Sequence, residues 1–181
     1  MWVEVFLIAL TDLEKIVALC KRGDKKAQKA LFDKLSPQML GIAYRYVAGY
    51  DLANEVVQLT FIKAFKNIEN VSPKKVKGWM IKITVNTALN VLKQEQRSFE
   101  SLDIESIKKH TKQQDHSSDI VCLINRLPKD KRVLFNLHAI EGYSFKEVGA
   151  MLEISEGNAR IRYHRVKKEV QKLLEHYFIE G

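Results

Sequence analysis

The chain is poor in the residues that build reactive sites or brace secreted scaffolds. Its cysteines, Cys20 and Cys122, lie far apart inside helix-like apolar patterns. They read as buried thiols and imply no oxidising compartment. No apolar run reaches the length of a membrane span. The opening "MWVEVFLIAL" lacks a basic leader and a small-residue cleavage site, and Glu4 interrupts it. Neither a signal peptide nor membrane insertion is expected, and the reading is a cytoplasmic protein. The role of residues 1–10 stays open between a strand, a helix extension and an overlong start. A Gly-rich phosphate cradle, a Cys/His metal spacing and a nucleophile motif are all missing, which argues against an enzyme and against any cofactor or metal. His110 and His116 fall in a polar stretch where chance accounts for them. Strand-like alternation is almost absent, and no internal repeat is visible.

What the chain does have is helical periodicity, from Leu13 onward, and positive charge. Thirty Lys and Arg against 22 Asp and Glu leave a net charge of +8 over 181 residues, which favours a polyanionic partner. The fold class is all-α. Ser36-Pro37 and Ser72-Pro73 predict two helix starts, with Ser as cap and Pro in the first turn, and Pro128 predicts a third. Between Ser98 and Asp119 the pattern fails: "SFESLDIESIKKHTKQQDHSSD" is rich in Ser, Gln and charge. That composition predicts a flexible linker, and a chain of about 22 residues has a root-mean-square reach of about 25 Å. Two small helical domains follow, residues 11–97 and 120–181, joined by 98–119.

The segment "GYSFKEVGAMLEISEGNARIRYHRVKK", residues 142–168, reads as helix, tight turn, helix. Phe145, Val148 and Leu152 give the first helix one apolar face. Ser155 is the expected N-cap of the second. At about 100° per residue, Ala159, Tyr163, Val166, Val170 and Leu173 face inward. Asn158, Arg160, Ile161, His164, Arg165 and Lys168 face outward, and Gly157 keeps the helix entrance narrow enough for backbone amides to approach a phosphate. A basic helix is by default a solvated surface. The tight turn, the helix spacing and the one-sided charge shift the balance toward DNA, where Arg bonds guanine acceptors while Lys and amides hold phosphates.

With its neighbours this segment resembles sigma region four of the bacterial extracytoplasmic-function sigma factors, a branch of the sigma-seventy family. The matching run is "INRLPKDKRVLFNLHAIEGYSFKEVGAMLEISEGNARIRYHRVKK". The first domain resembles sigma region two through "AQKALFDKLSPQMLGIAYRYV", "DLANEVVQLTFIKAFKNI" and "VKGWMIKITVNTALNVLK", so the likeness spans roughly residues 11–176. It implies an alternative sigma factor that joins core RNA polymerase through the beta-prime clamp helices and the beta flap. Such a factor reads duplex promoter DNA with region four and captures the melted single strand with region two. In the docking helix, Ala53, Val56, Val57, Thr60, Phe61 and Ala64 form an apolar stripe. Asp51, Glu55, Gln58, Leu59 and Ile62 are then the candidate polymerase contacts. Asn54 and Leu59 stand where the family commonly carries acidic residues.

In the helix that resembles the promoter-melting helix, Trp79, Ile83 and Ala88 can pack inward while Lys82, Asn86, Asn90 and Lys93 offer polar groups. With Lys74, Lys75, Lys77 and Arg97 nearby, the segment is a basic track with a ring and amides at its centre, suited to a splayed strand. Trp79 is equally a core residue on this pattern. By resemblance, Asn86 lies where sigma factors contact the flipped base. Asn70 and Val71 replace the usual aromatic of the preceding loop, and Ile161 replaces a small polar residue of the recognition helix. Two consequences are open: loose promoter reading helped by an anti-sigma factor or a DNA-bound recruiting protein, or a different motif read just as tightly. The rival class is a helix-turn-helix regulator that binds duplex DNA without polymerase. It shares the second domain and has no use for the melting or docking helix.

Overall fold

A computed structural model of the chain describes residues 12–101 and 119–180, with side chains described over 12–97 and 120–177. Residues 1–10 and most of the expected linker therefore lie outside the described residues. Among the described residues the elements are α-helices joined by short turns, with no strand. Contacts divide the chain into two compact units, Met1–Ser106 and Ile107–Gly181.

The first unit contains α1 (Asp12–Cys20), α2 (Lys25–Val47), α3 (Tyr50–Asn67) and α4 (Val76–Ser101), with two 3-10 turns, Ile68–Asn70 and Pro73–Lys75, before α4. Helix α2 packs on α1, α3 and α4, and α3 packs on α4. The core between them is apolar: Val17, Leu31, Met39, Val56, Met80 and Val85 are fully buried. The helix start expected at Ser36-Pro37 is corrected, because Pro37 lies inside α2. The cap that starts α2 is Asp24, whose carboxylate accepts from the amides of Lys26 and Ala27 at 2.8 and 3.0 Å. An interior proline costs about 3 kcal/mol. Leu31, Leu35, Met39 and Ile42 are buried on either side of it, at about 1.5–3 kcal/mol each, and their burial keeps the helix continuous. Ser72 precedes the 3-10 turn Pro73–Lys75, but its side chain makes no capping bond and α4 begins only at Val76. At its far end α4 runs to Ser101, beyond the point where the sequence pattern breaks.

The second unit contains α5 (Asp119–Asn125), α6 (Lys129–Phe135), a π turn Asn136–Ile140, α7 (Phe145–Leu152) and α8 (Glu156–Glu180). Pro128 is the N-cap of α6, so a helix does open at this proline. Arg132 is buried, and its Nη1 donates to the carbonyls of Asn125 and Leu127 at 3.2 Å each, which ties α6 to the end of α5. Helices α5, α6 and α7 all pack against α8. Of the two thiols, Cys20 is buried, and desolvation with the nearby Asp24 charge pushes it up to about 11, so it stays protonated and inert. Cys122 is only half-buried, which corrects its expected placement.

One glycine is fixed by packing. A Cβ added at Gly149 would lie 2.7 Å from the carbonyl oxygen of Ile154, whereas one at Gly157 would meet nothing within 4 Å. Gly149→Ala is therefore expected to destabilise the second unit by about 1–3 kcal/mol. Gly157→Ala, on an open helical position, should stabilise it by about 0.5–1 kcal/mol. Urea unfolding of the two variants checks the opposite signs.

Candidate nucleic-acid interface

The helix-turn-helix is built from local bonds. Ser144 and Glu147 form a reciprocal capping box at the start of α7. Glu153 closes that helix in the left-handed region at φ 57°, and Ser155 Oγ accepts from the Asn158 amide at 3.2 Å to start α8. Ala159, Val166 and Val170 are buried against the unit, with Tyr163 and Leu173 half-buried. The opposite face exposes Gly157, Asn158, Arg160, Ile161, His164, Arg165 and Lys168. Ile161 is 55% exposed, an apolar side chain held out among cations.

An aromatic cluster fixes how α8 sits. The His138 ring stacks on Phe145 with centroids 4.0 Å apart and meets Tyr163 edge-on at 4.5 Å. Its Nδ1 lies 2.8 Å from the Tyr143 carbonyl. Lys131 of α6 bonds Glu169 of α8 at 2.6 Å. Arg160 belongs to this scaffold as well as to the exposed face: its guanidinium lies 5.5 Å from the Phe145 ring centroid and bonds Glu156 at 3.0 Å.

In the first unit, α3 buries Ala53, Val56, Val57, Thr60, Phe61 and Ala64. Asp51, Glu55, Gln58 and Ile62, at helical spacing, are exposed on its other side, with Ile62 52% exposed. Leu59 is half-buried, and the Asn54 amide donates to the Tyr50 carbonyl at 2.9 Å.

Between α3 and α4 runs an open groove of about 420 Å³, lined by Lys63, Asn67, Asn70, Trp79, Ile83, Asn86 and Thr87. Its walls offer one indole, three amide side chains and an ammonium group, with no carboxylate in the lining. Lys63 Nζ donates to Thr87 Oγ1 at 3.1 Å across it, and the Asn67 amide donates to the Lys63 carbonyl at 2.8 Å. Of the strand residues expected from sequence, Trp79 and Asn86 line the groove. Lys74, Lys75, Lys77, Lys82 and Asn90 are exposed outside its lining. Val71 is buried in the core and offers nothing to a strand, while Asn70 faces the groove. From sequence, Lys63 reads only as a residue off the apolar stripe of this helix, and Asn67 and Thr87 carry no assignment. The available signal was that Lys63 and Asn67 lie four apart on α3, off its buried stripe.

Two family models match the chain, Sigma-70 region 2 over residues 31–98 and Sigma-70 region 4 over residues 117–170. The chain belongs to the sigma-70 family, in its extracytoplasmic-function (ECF) branch. This sigma factor is 27% identical to the RNA polymerase sigma-H factor of Pseudomonas aeruginosa over 90% of its own length and 93% of that protein. It is 28% identical to the ECF RNA polymerase sigma-E factor of Haemophilus influenzae over 92% and 96%. The fold is similar to that of the sigma factor RpoE solved with the anti-sigma factor NepR from Bartonella quintana. That match has a TM-score of 0.53 and 23% identity, and covers 81% of this chain and 96% of that one. It is also similar to CnrH in complex with the cytosolic domain of CnrY, at TM-score 0.52 and 18% identity, over 91% and 97%.

Two of the three exposed arginines of α8, Arg160 and Arg165, differ in what holds them. Arg160→Ala removes a ring contact and an exposed ion pair, and should lower stability by about 1 kcal/mol. Arg165→Ala removes neither and should stay within about 0.5 kcal/mol of the parent. Urea midpoints at unchanged m-value separate them.

Proposed function

We propose that this chain is an alternative sigma factor that reversibly joins core RNA polymerase and directs it to promoters. The observation that carries the reading is the presence, on one chain and in order, of both sigma regions, the first with an indole-and-amide groove beside an exposed polar helix face. Residues 11–97 serve polymerase docking and melting, 98–119 act as a linker, and 120–181 bind the upstream promoter element. Asp51, Glu55, Gln58, Leu59 and Ile62 meet the beta-prime clamp helices, and the second unit meets the beta flap. Gly157 and Asn158 approach phosphates, Arg160 and Arg165 read or clamp the duplex, and His164, Lys168 and Ile161 complete that surface. Trp79 and Asn86 receive the opened strand, while Lys74, Lys75, Lys77, Lys82 and Asn90 hold its backbone. The protein performs no chemistry, since nucleotidyl transfer belongs to the polymerase. No helix among the described residues is long and apolar enough to cross a membrane, and the site of action is the cytoplasm, where the polymerase works. Two neighbours in fold were solved as complexes, one of them with an anti-sigma factor, which supports such a partner here.

A helix-turn-helix regulator acting without polymerase has no use for the groove or the exposed face of α3. Purified core polymerase plus this protein should therefore initiate from defined start sites, and failure of the two to associate would support the regulator. Asn86→Ala should retain polymerase binding yet lose open complex, read by permanganate reactivity of thymines, because hydrogen bonds to an extruded base exist only after unpairing. A pre-melted bubble template should restore its activity; if it restores none, the strand assignment fails.

A further inference from the structure

The turn that joins α1 to α2 and the first turn of α2 read "KRGDKKAQK", Lys21 to Lys29. The carboxylate in this run, Asp24, is engaged by the amides of Lys26 and Ala27, and Lys29 pairs with Asp33 at 2.6 Å. Lys21 reaches away from the turn, and its Nζ donates to the carbonyl of Glu69 at 2.9 Å. Helix α1 also packs against the turn Pro73–Lys75. Two basic segments far apart in sequence are thus held together, one carrying Arg22, Lys25 and Lys26 and the other Lys74, Lys75 and Lys77. The junction falls at a telling place. Glu69 holds Lys21, and the next residue, Asn70, lines the strand groove.

Among the described residues none of these six cations forms an ion pair, and all are exposed. Such a cluster raises the local positive potential, which a polyanion relieves. No aromatic ring occurs between Lys21 and Lys29. Base stacking, which a single-stranded partner needs, has no platform there. Phosphates of a duplex need only cations. We propose that Arg22, Lys25 and Lys26 bind the phosphate backbone of duplex DNA flanking the melted segment, continuing the basic track of Lys74, Lys75 and Lys77 past the end of the groove. The inference rests on the sigma-factor reading, and it adds a contact that strengthens binding without reading sequence.

The test uses holoenzyme assembled from core polymerase and the full chain, on duplex fragments carrying start sites mapped with the same holoenzyme. Equilibrium binding is followed across a salt series. The combined variant Arg22→Ala, Lys25→Ala, Lys26→Ala should flatten the dependence of log K on log salt by about 2–3, since each phosphate contact contributes about 0.9. It should also weaken binding by a similar factor on every start site. The charge-keeping variant Arg22→Lys, Lys25→Arg, Lys26→Arg should restore the parent slope, which separates charge from folding. An unchanged slope in the alanine variant overturns the proposal. So does loss of affinity for core polymerase in the absence of DNA, which would reassign the patch to a protein contact. If the parent protein itself gives no polymerase-dependent binding, the sigma-factor reading fails, and this inference falls with it.

Discussion

The first unit depends on how α3 is buried. Ala53, Val56 and Ala64 are completely inaccessible between α2 and α4, and Phe61 meets Phe32 at a tilt of 56° with centroids 4.7 Å apart. Small residues at both ends of the stripe let the neighbouring helices approach, and the ring fills the space between them. Once that stripe is fixed, the rest of α3 has no rotational freedom. Asp51, Glu55, Gln58 and Ile62 must face outward, and Lys63 and Asn67 must face the groove shared with α4. The proposed docking face and the groove therefore sit on one rigid helix, bridged to α4 by the Lys63–Thr87 hydrogen bond.

The second unit reaches a comparable rigidity by other means. Its helices α5, α6 and α7 are short, so burial along any one of them is limited, and α8 serves as the common surface on which they pack. The His138–Phe145–Tyr163 cluster and the Lys131–Glu169 pair fix α8 on the rest of the unit. Close approach of α7 to the turn requires glycine at position 149. In the proposed role of α8 as the DNA-reading helix, holding it this firmly would let Arg165 and Lys168 bind with little loss of order, which favours affinity.

Much of this was legible from residue spacing, and the limits are physical. A period of 3.6 identifies which side of a helix is apolar: the whole α3 stripe is buried, and of the inner face of α8 Ala159, Val166 and Val170 are buried while Tyr163 and Leu173 are half-buried. It says nothing of what a helix packs against. The groove needs α3 and α4 side by side, so Lys63 and Thr87 were invisible as partners. Local signals also lose to burial: Pro37 looks like a start, yet the apolar residues around it carry α2 through. By resemblance Val71 stands in the loop that captures a base, but the structure buries it in the core. The constraint on Gly149 arises from the turn it abuts, which no residue spacing shows.

The central claim is that the groove between α3 and α4 holds a DNA strand only after the promoter has opened. A photo-crosslinking amino acid at position 70, in place of the exposed, groove-lining Asn70, tests it most directly. In holoenzyme the account predicts crosslinks to the non-template strand that arise with the open complex and are absent when the duplex is kept closed. Equal crosslinking to closed duplex, or none after opening, would contradict it.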